Sequence, residues 1–155
     1  MAALTVRVQS EPFDMAAEAA RLKQLPGVGA IVTFTGLCRD EGGRLASLEL
    51  EHYPGMAEAE IGRIAEEAAG RWPLVGITVI HRTGTIAAGD DIVLVATASA
   101  HRDAAFAAAN FVMDYLKTRA PFWKKEHPAG ADSSDWVGAH EGDDHAAGRW
   151  HRPKT

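Results

Sequence analysis

Ser99 to Glu126 reads SAHRDAAFAAANFVMDYLKTRAPFWKKE, and the rest of the chain is arranged around it. Phe106, Ala109, Met113 and Leu116 recur at helical spacing in an alanine-rich run, which predicts a helix over Asp103 to Thr118. The polar stripe on that helix is narrow: Asp103, Asn110, Asp114 and Lys117. A helix apolar nearly all round is expected to be buried. Pro121 stops it, because the residue before a proline is pushed out of the α region. Both ends carry cations. His101 and Arg102 stand at the start, and Lys117, Arg119, Lys124 and Lys125 stand at or just beyond the end. Cations at a helix C-terminus suit the macrodipole and need no function. At the N-terminus they oppose it, and free backbone N–H groups there favour an anion. His101 and Arg102 are therefore candidates for a phosphate or carboxylate seat. The competing reading is that Ser99 or Asp103 caps the helix and both cations are solvated.

Upstream, Leu4, Val6 and Val8 alternate with polar residues as a strand. Asp14 suits the N-cap of a helix reaching about Leu25, closed by Pro26–Gly27. Ala30–Gly36 and Leu45–Tyr53 read as strands forming a hairpin across a loose loop. A helix follows Pro54, with Ala57, Ile61, Ile64, Ala65, Ala68 and Trp72 on its buried face. Strands are expected at 77–81 and 92–98, with turns at Gly84, Gly89 and Asp90 between them. From His127 the composition becomes polar and reads as a tail, docked in part by Trp136. The expected fold is α+β, a mainly antiparallel sheet with helices packed on one face. One domain is expected over 1–140, with a polar, flexible tail over 141–155.

The chain has 155 residues, 46% hydrophobic and 24% charged, which suits one domain with a real core. Its net charge of −5 argues against a general nucleic-acid binder. The sole cysteine, Cys38, rules out an intrachain disulfide and a cysteine-rich metal site. No apolar run is long enough to span a membrane. The segment MAALTVRVQSEPFD lacks the apolar core of a signal peptide, so a cytoplasmic location is expected.

Arg39 follows a strand end, where rigid scaffolds often hold binding residues. Lys117 lies on a helix that otherwise reads as buried. A desolvated lysine has a lowered pKa and can act as base or nucleophile; the alternative is that its head reaches water from the helix end. Cys38 beside Arg39 raises a thiolate reading, set against that of a small buried core residue. The seven histidines show no paired ligand spacing, and no metal is expected. Phe122–Trp123–Lys124–Lys125 reads either as a stacking or membrane-surface patch or as core aromatics beside solvated lysines. Chemistry alone reaches an anion pocket in an α+β domain.

GAIVTFTGLCRD (29–40), LELEHYPGM (48–56), RWPL (71–74), VIHRTG (79–84), SAHRDAAF (99–106) and MDYLKTRAPFWKKE (113–126) occur in this order. In sequence and spacing they resemble the large, catalytic subunits of molybdopterin synthase. The resemblance implies an α/β hammerhead fold and no cofactor. It implies sulfur transfer from the C-terminal thiocarboxylate of a small ubiquitin-like partner subunit to cyclic pyranopterin monophosphate (precursor Z), within a heterotetramer around a homodimer. It also implies that Lys117 and Lys124 are catalytic. Arg39, His101 and Arg102 match substrate-pocket positions, flanked by Leu37, Cys38, Lys125 and Glu126. In this chain the loop after Arg39 is short and glycine-rich, and His140 stands where relatives can carry an arginine. A rival reading is a non-catalytic module that holds a phosphorylated ligand or RNA through the same cations.

His101 and Lys117 are sixteen residues apart, roughly 24 Å along a helix at 1.5 Å per residue. One small substrate does not span that distance. A two-fold dimer is therefore expected to build composite pockets, with Arg39, Lys117 and Lys124 from one chain and His101 and Arg102 from its mate.

Overall fold

The structure is a computed structural model and describes residues 1–129, together with the backbone of 135–137. In chain order its elements are β1 (Ala3–Gln9), α1 (Met15–Lys23), β2 (Ala30–Leu37), β3 (Leu45–His52), α2 (Met56–Arg71) and β4 (Leu74–Arg82). They continue with β5 (Gly84–Ala87), β6 (Asp91–Ser99), α3 (Arg102–Arg119), β7 (Phe122–Pro128) and β8 (Asp135–Val137). Two four-stranded sheets result, ordered β1-β4-β6-β2 and β5-β3-β7-β8. Among the described residues only the β1–β4 pairing is parallel and the others are antiparallel, in keeping with an α+β fold.

The two inner strands of the first sheet, β4 and β6, are buried on both faces. Ile77 and Val79 of β4 and Val93 and Val95 of β6 pack against α2 and α3 through Ile61, Ile64, Phe111, Val112 and Tyr115. Ala96 and Ala98 of β6 pack on the opposite face against Leu22 of α1 and its neighbours Leu25 and Val28. Strand residues alternate between faces, so β4 and β6 read as near-continuous apolar runs. The expectation that all helices share one face is thus corrected: α1 has its own side. Gly76 permits its approach, since a Cβ there would lie 2.8 Å from Leu25 Cδ1 and 2.9 Å from Leu22 Cδ2.

Local signals explain the helix ends. Asp14 accepts a hydrogen bond from the Ala17 amide at 3.1 Å and caps α1. The α2 core face, Ala57, Ile61, Ile64, Ala65 and Ala68, is buried as its periodicity requires. Helix α3 stops at Ala120, immediately before Pro121. Its buried face differs in part from the expected one. Phe106 is 61% exposed, and Ala104, Ala105, Ala108, Phe111, Val112 and Tyr115 do the packing.

The expected β2–β3 hairpin does not form. β2 pairs with β6 in the first sheet, whereas β3 pairs with β5 and β7 in the second. The chain changes sheets across Cys38–Arg44, where Glu41 (φ 55°), Gly42 and Gly43 adopt left-handed backbone. The 84–90 region holds strand β5 between its turns, and the polar run expected to begin a tail is strand β7 as far as Pro128. Beyond it, β8 pairs Asp135 with Glu126 and Val137 with Lys124. His140 and the boundary at 140/141 lie outside the described residues, as does the side chain of Trp136.

Gly29 supplies a direct test of this packing. Its amide donates to the Ser99 carbonyl at 2.9 Å, and a Cβ would sit 2.2 Å from the Ala100 carbonyl oxygen. That oxygen is backbone and cannot swing away. Gly29→Ala is expected to lower stability by about 1–3 kcal/mol. Gly62→Ala, in α2 with open space around it, is expected to be neutral or to stabilise by up to about 1 kcal/mol. Urea denaturation midpoints at one protein concentration measure both.

Candidate active site

A cavity of about 350 Å³ opens where the C-terminal half of α3, the ends of β2, β4 and β6, the 37–41 loop and β7 converge. Its walls include Leu37, Arg39, Glu41, His81, Met113, Leu116, Lys117, Phe122, Lys124 and Glu126. The volume suits a small-molecule ligand. Three cations meet there from three different elements: Arg39 from the loop, Lys117 from the last turn of α3, and Lys124 from β7.

Local geometry explains the selection. β7 alternates, so Phe122, Lys124 and Glu126 turn to the cavity while Trp123 and Lys125 turn away. Lys125, although a candidate from the sequence, stands opposite Glu49 in the β3–β7 register. Lys117 is exposed, so its head is not desolvated in the single chain. Among the described residues no carboxylate lies within 4.0 Å of it. The Arg39 side chain is 83% exposed and reaches Glu41 only at 4.0 Å, leaving its guanidinium available.

Cys38 is fully buried with Leu45, Leu50 and Ile86 in the core under β3 and does not line the cavity. Burial pushes its thiol pKa up, and the charges of Asp90, Glu41 and Glu126 push the same way against a backbone contact from Leu48. The thiolate reading loses its physical basis. His101 and Arg102 are exposed at the far end of α3 and do not reach the cavity. His101 is the N-cap residue, and no side chain caps the helix. Ser99 Oγ donates instead to the His101 carbonyl, and Asp103 is exposed beside Arg102. Neither expected cap forms, which leaves the first amides of α3 open beside two cations.

The aromatic segment divides as well. Phe122 stacks on His81, with centroids 3.9 Å apart and planes 14° apart, whereas Trp123 meets Tyr53 edge-on at 5.1 Å and is 44% exposed. A continuous base-stacking platform is therefore not present in this segment. Among the described residues no three His, Cys, Asp or Glu side chains group as a metal site, and no helix is long and apolar enough to cross a membrane.

The sequence reading weighed His81 only as one of seven histidines without metal-ligand spacing and not as a cavity residue. It lies in β4, flanked by Ile80 and Arg82, and its Nδ1 is 2.8 Å from the Arg82 carbonyl oxygen. A carbonyl only accepts, so Nδ1 carries the proton and Nε2 is the bare nitrogen of the neutral ring. Burial lowers its pKa to about 4. The Arg82 carbonyl opposes the shift, and the charges of Lys124, Lys117 and His52 add to it. The one available signal was a histidine in a mostly apolar strand.

These features match a known family. The MoaE protein family profile matches residues 8–119. The chain belongs to the MoaE family. It is 66% identical over 147 residues to a molybdopterin synthase catalytic subunit of Mesorhizobium japonicum, covering 94% of this chain and 92% of that one. It is 49% identical over 152 residues to the Escherichia coli protein of the same name, covering 97% of this chain and all of that one. Among solved structures, the molybdopterin biosynthesis MoaE protein of Burkholderia ambifaria superposes with a TM-score of 0.81 at 48% identity, over 97% of this chain and 98% of that one. The molybdopterin synthase of Staphylococcus aureus gives 0.76 at 33% identity, over 84% and 95%. The resemblance found in the sequence motifs is thus borne out, and so is the α+β fold.

The buried imidazole makes stability depend on pH. Its folded pKa lies below the unfolded value of 6.5, so between about pH 6.5 and 4 the unfolded chain binds the extra proton and folding weakens as pH falls. The full effect is on the order of 3 kcal/mol, lost across that window and absent above it. His81→Phe should flatten this part of the stability–pH curve relative to wild type. Parallel curves for the two proteins from pH 7 to 4 would contradict the assignment.

Proposed function

We propose that this MoaE-family chain is the catalytic subunit of a molybdopterin synthase. It takes sulfur from the C-terminal thiocarboxylate of a small ubiquitin-like partner and installs it on cyclic pyranopterin monophosphate, building the dithiolene of molybdopterin. The observation that carries this reading is the convergence of Arg39, Lys117 and Lys124 on one cavity, in a chain similar to molybdopterin synthase catalytic subunits over nearly its whole length.

The chemistry fits the side chains. A thiocarboxylate and a phosphate monoester are both anions, and a partly enclosed pocket of cations holds both. Sulfur transfer shifts negative charge between sulfur, the carboxyl carbon's oxygen and the attacked ring carbon. Lys117 and Lys124 are assigned to stabilise that charge. Arg39 binds the substrate anion, Leu37 forms a wall, and Glu126 and Lys125 flank the site. Cys38 takes no part in carrying sulfur. The reaction takes place in the cytoplasm.

Each pocket is completed by a second copy of the chain. Helix α3 is unbroken over 18 residues, so its two ends stay roughly 25 Å apart. In a two-fold dimer His101 and Arg102 of one copy close the pocket built by Arg39, Lys117 and Lys124 of the other. Phe106 at 61% and Phe34 at 41% exposure leave apolar surface that such an association would cover. One small partner on each copy makes the heterotetramer.

Incubation with precursor Z and the thiocarboxylated partner should give the dithiolene product; substrate binding without product would support the non-catalytic module instead. Lys117→Ala should lower turnover by about 100-fold or more with little change in the melting temperature. Arg39→Ala should act chiefly on the Michaelis constant. Cys38→Ala should keep most of the turnover, and its loss in a folded protein would overturn the assignment of sulfur to the partner.

A further inference from the structure

The charged groups of the cavity are cationic donors and two carboxylates, Glu41 and Glu126. His81 is different in kind. It is 8% exposed, yet it forms part of the cavity wall. Two contacts fix its ring: the Nδ1 hydrogen bond to the Arg82 carbonyl at 2.8 Å, and the flat stack on Phe122 at 3.9 Å. With Nδ1 committed, the remaining hydrogen-bonding atom is the lone pair of Nε2.

The groups whose charges act on this ring are Lys124 from β7, Lys117 from α3 and His52 from β3, with Lys124 the strongest. Lys124 stands two residues beyond Phe122 on the same face of β7. The strand that carries the stacking ring therefore also carries the ammonium. A carboxylate in place of His81 would form an ion pair and cancel the charge that an anionic substrate needs. A neutral acceptor can orient an ammonium and leave its charge intact.

We propose that His81 is a positioning residue of the sulfur-transfer site: its Nε2 accepts a hydrogen bond from the Lys124 ammonium in the loaded pocket and aims that cation at the reacting anion. The inference rests on the reading of this cavity as the sulfur-transfer site. The low basicity of the ring serves this role, because an imidazolium would have no lone pair to offer and would add a third positive charge beside two lysines. The stack and the carbonyl contact keep the acceptor in one orientation, as a group acting through another must be kept.

Two substitutions separate positioning from packing. His81→Phe keeps a ring to stack on Phe122 and keeps the apolar burial, but it has no acceptor. His81→Gln loses the stack and supplies an amide oxygen. Stability should rank the Phe variant at or above the Gln variant, and turnover should rank them the other way. With precursor Z and thiocarboxylated partner, His81→Phe should lose about 30-fold in kcat with KM within about threefold of wild type, whereas His81→Gln should stay within about fivefold in kcat. His81→Leu serves as the acceptor-free variant if His81→Phe does not give folded protein. Full turnover in a folded acceptor-free variant would overturn the proposal. So would a Gln variant as inactive as the acceptor-free one, or activity that merely follows melting temperature across the set. Absence of product from the wild-type protein would instead sink the functional reading itself, so the two failures are distinguishable.

Discussion

Phe122 lies flat on the imidazole of His81, and this contact joins the two sheets at the cavity. His81 belongs to β4, an inner strand of the first sheet, and Phe122 opens β7, an inner strand of the second. The contact depends on how α3 ends. Pro121 forbids another helical turn, Ala120 takes extended backbone, and the chain doubles back at once as a strand. Lys117 in the last helical turn and Lys124 three residues into the strand are thereby brought to one cavity. A longer helix would carry them apart at about 1.5 Å per added residue.

The elements governed by local chemistry were legible in the sequence. Asp14 as a cap, the 57–61–64–65–68 face of α2 and the stop at Pro121 each depend on neighbours within a few residues, and each stands as expected. What escaped depends on partners far along the chain. β2 and β3 are consecutive strands and were paired on that ground, but the left-handed Glu41–Gly43 turn sends them into different sheets. The separate docking of α1 turns on Gly76 and the small side chains of Ala96 and Ala98, which carry no periodic signal. The last two residues of β7, His127 and Pro128, opened the polar run expected to be a tail, and their pairing with Ser47 and Leu45 of β3 makes them strand.

The candidate site was legible in the same uneven way. Spacing alone gave a surplus of cations around α3, and the motif resemblance supplied which of them to expect at the site. Arg39, Lys117, Lys124, Leu37 and Glu126 meet in one cavity, while Cys38 sits in the core, Lys125 on the outer face of β7, and His101 and Arg102 at the opposite end of the helix. His81 entered the sequence reading only among the histidines that lack metal-ligand spacing, because nothing in its local sequence points to a cavity. Its role follows only from the tertiary contacts that fix one nitrogen and leave the other bare.

In the proposed mechanism, the division of the cations between the two ends of one helix is the central constraint. A substrate that needs both sets must draw them from two chains. Mixing Lys117→Ala protein with Arg102→Ala protein, after subunit exchange has been confirmed with differently tagged copies, tests this directly. The account predicts that the mixture is more active than either impaired preparation alone, because mixed dimers hold one pocket with neither substitution. Confirmed exchange with no gain in activity would contradict it.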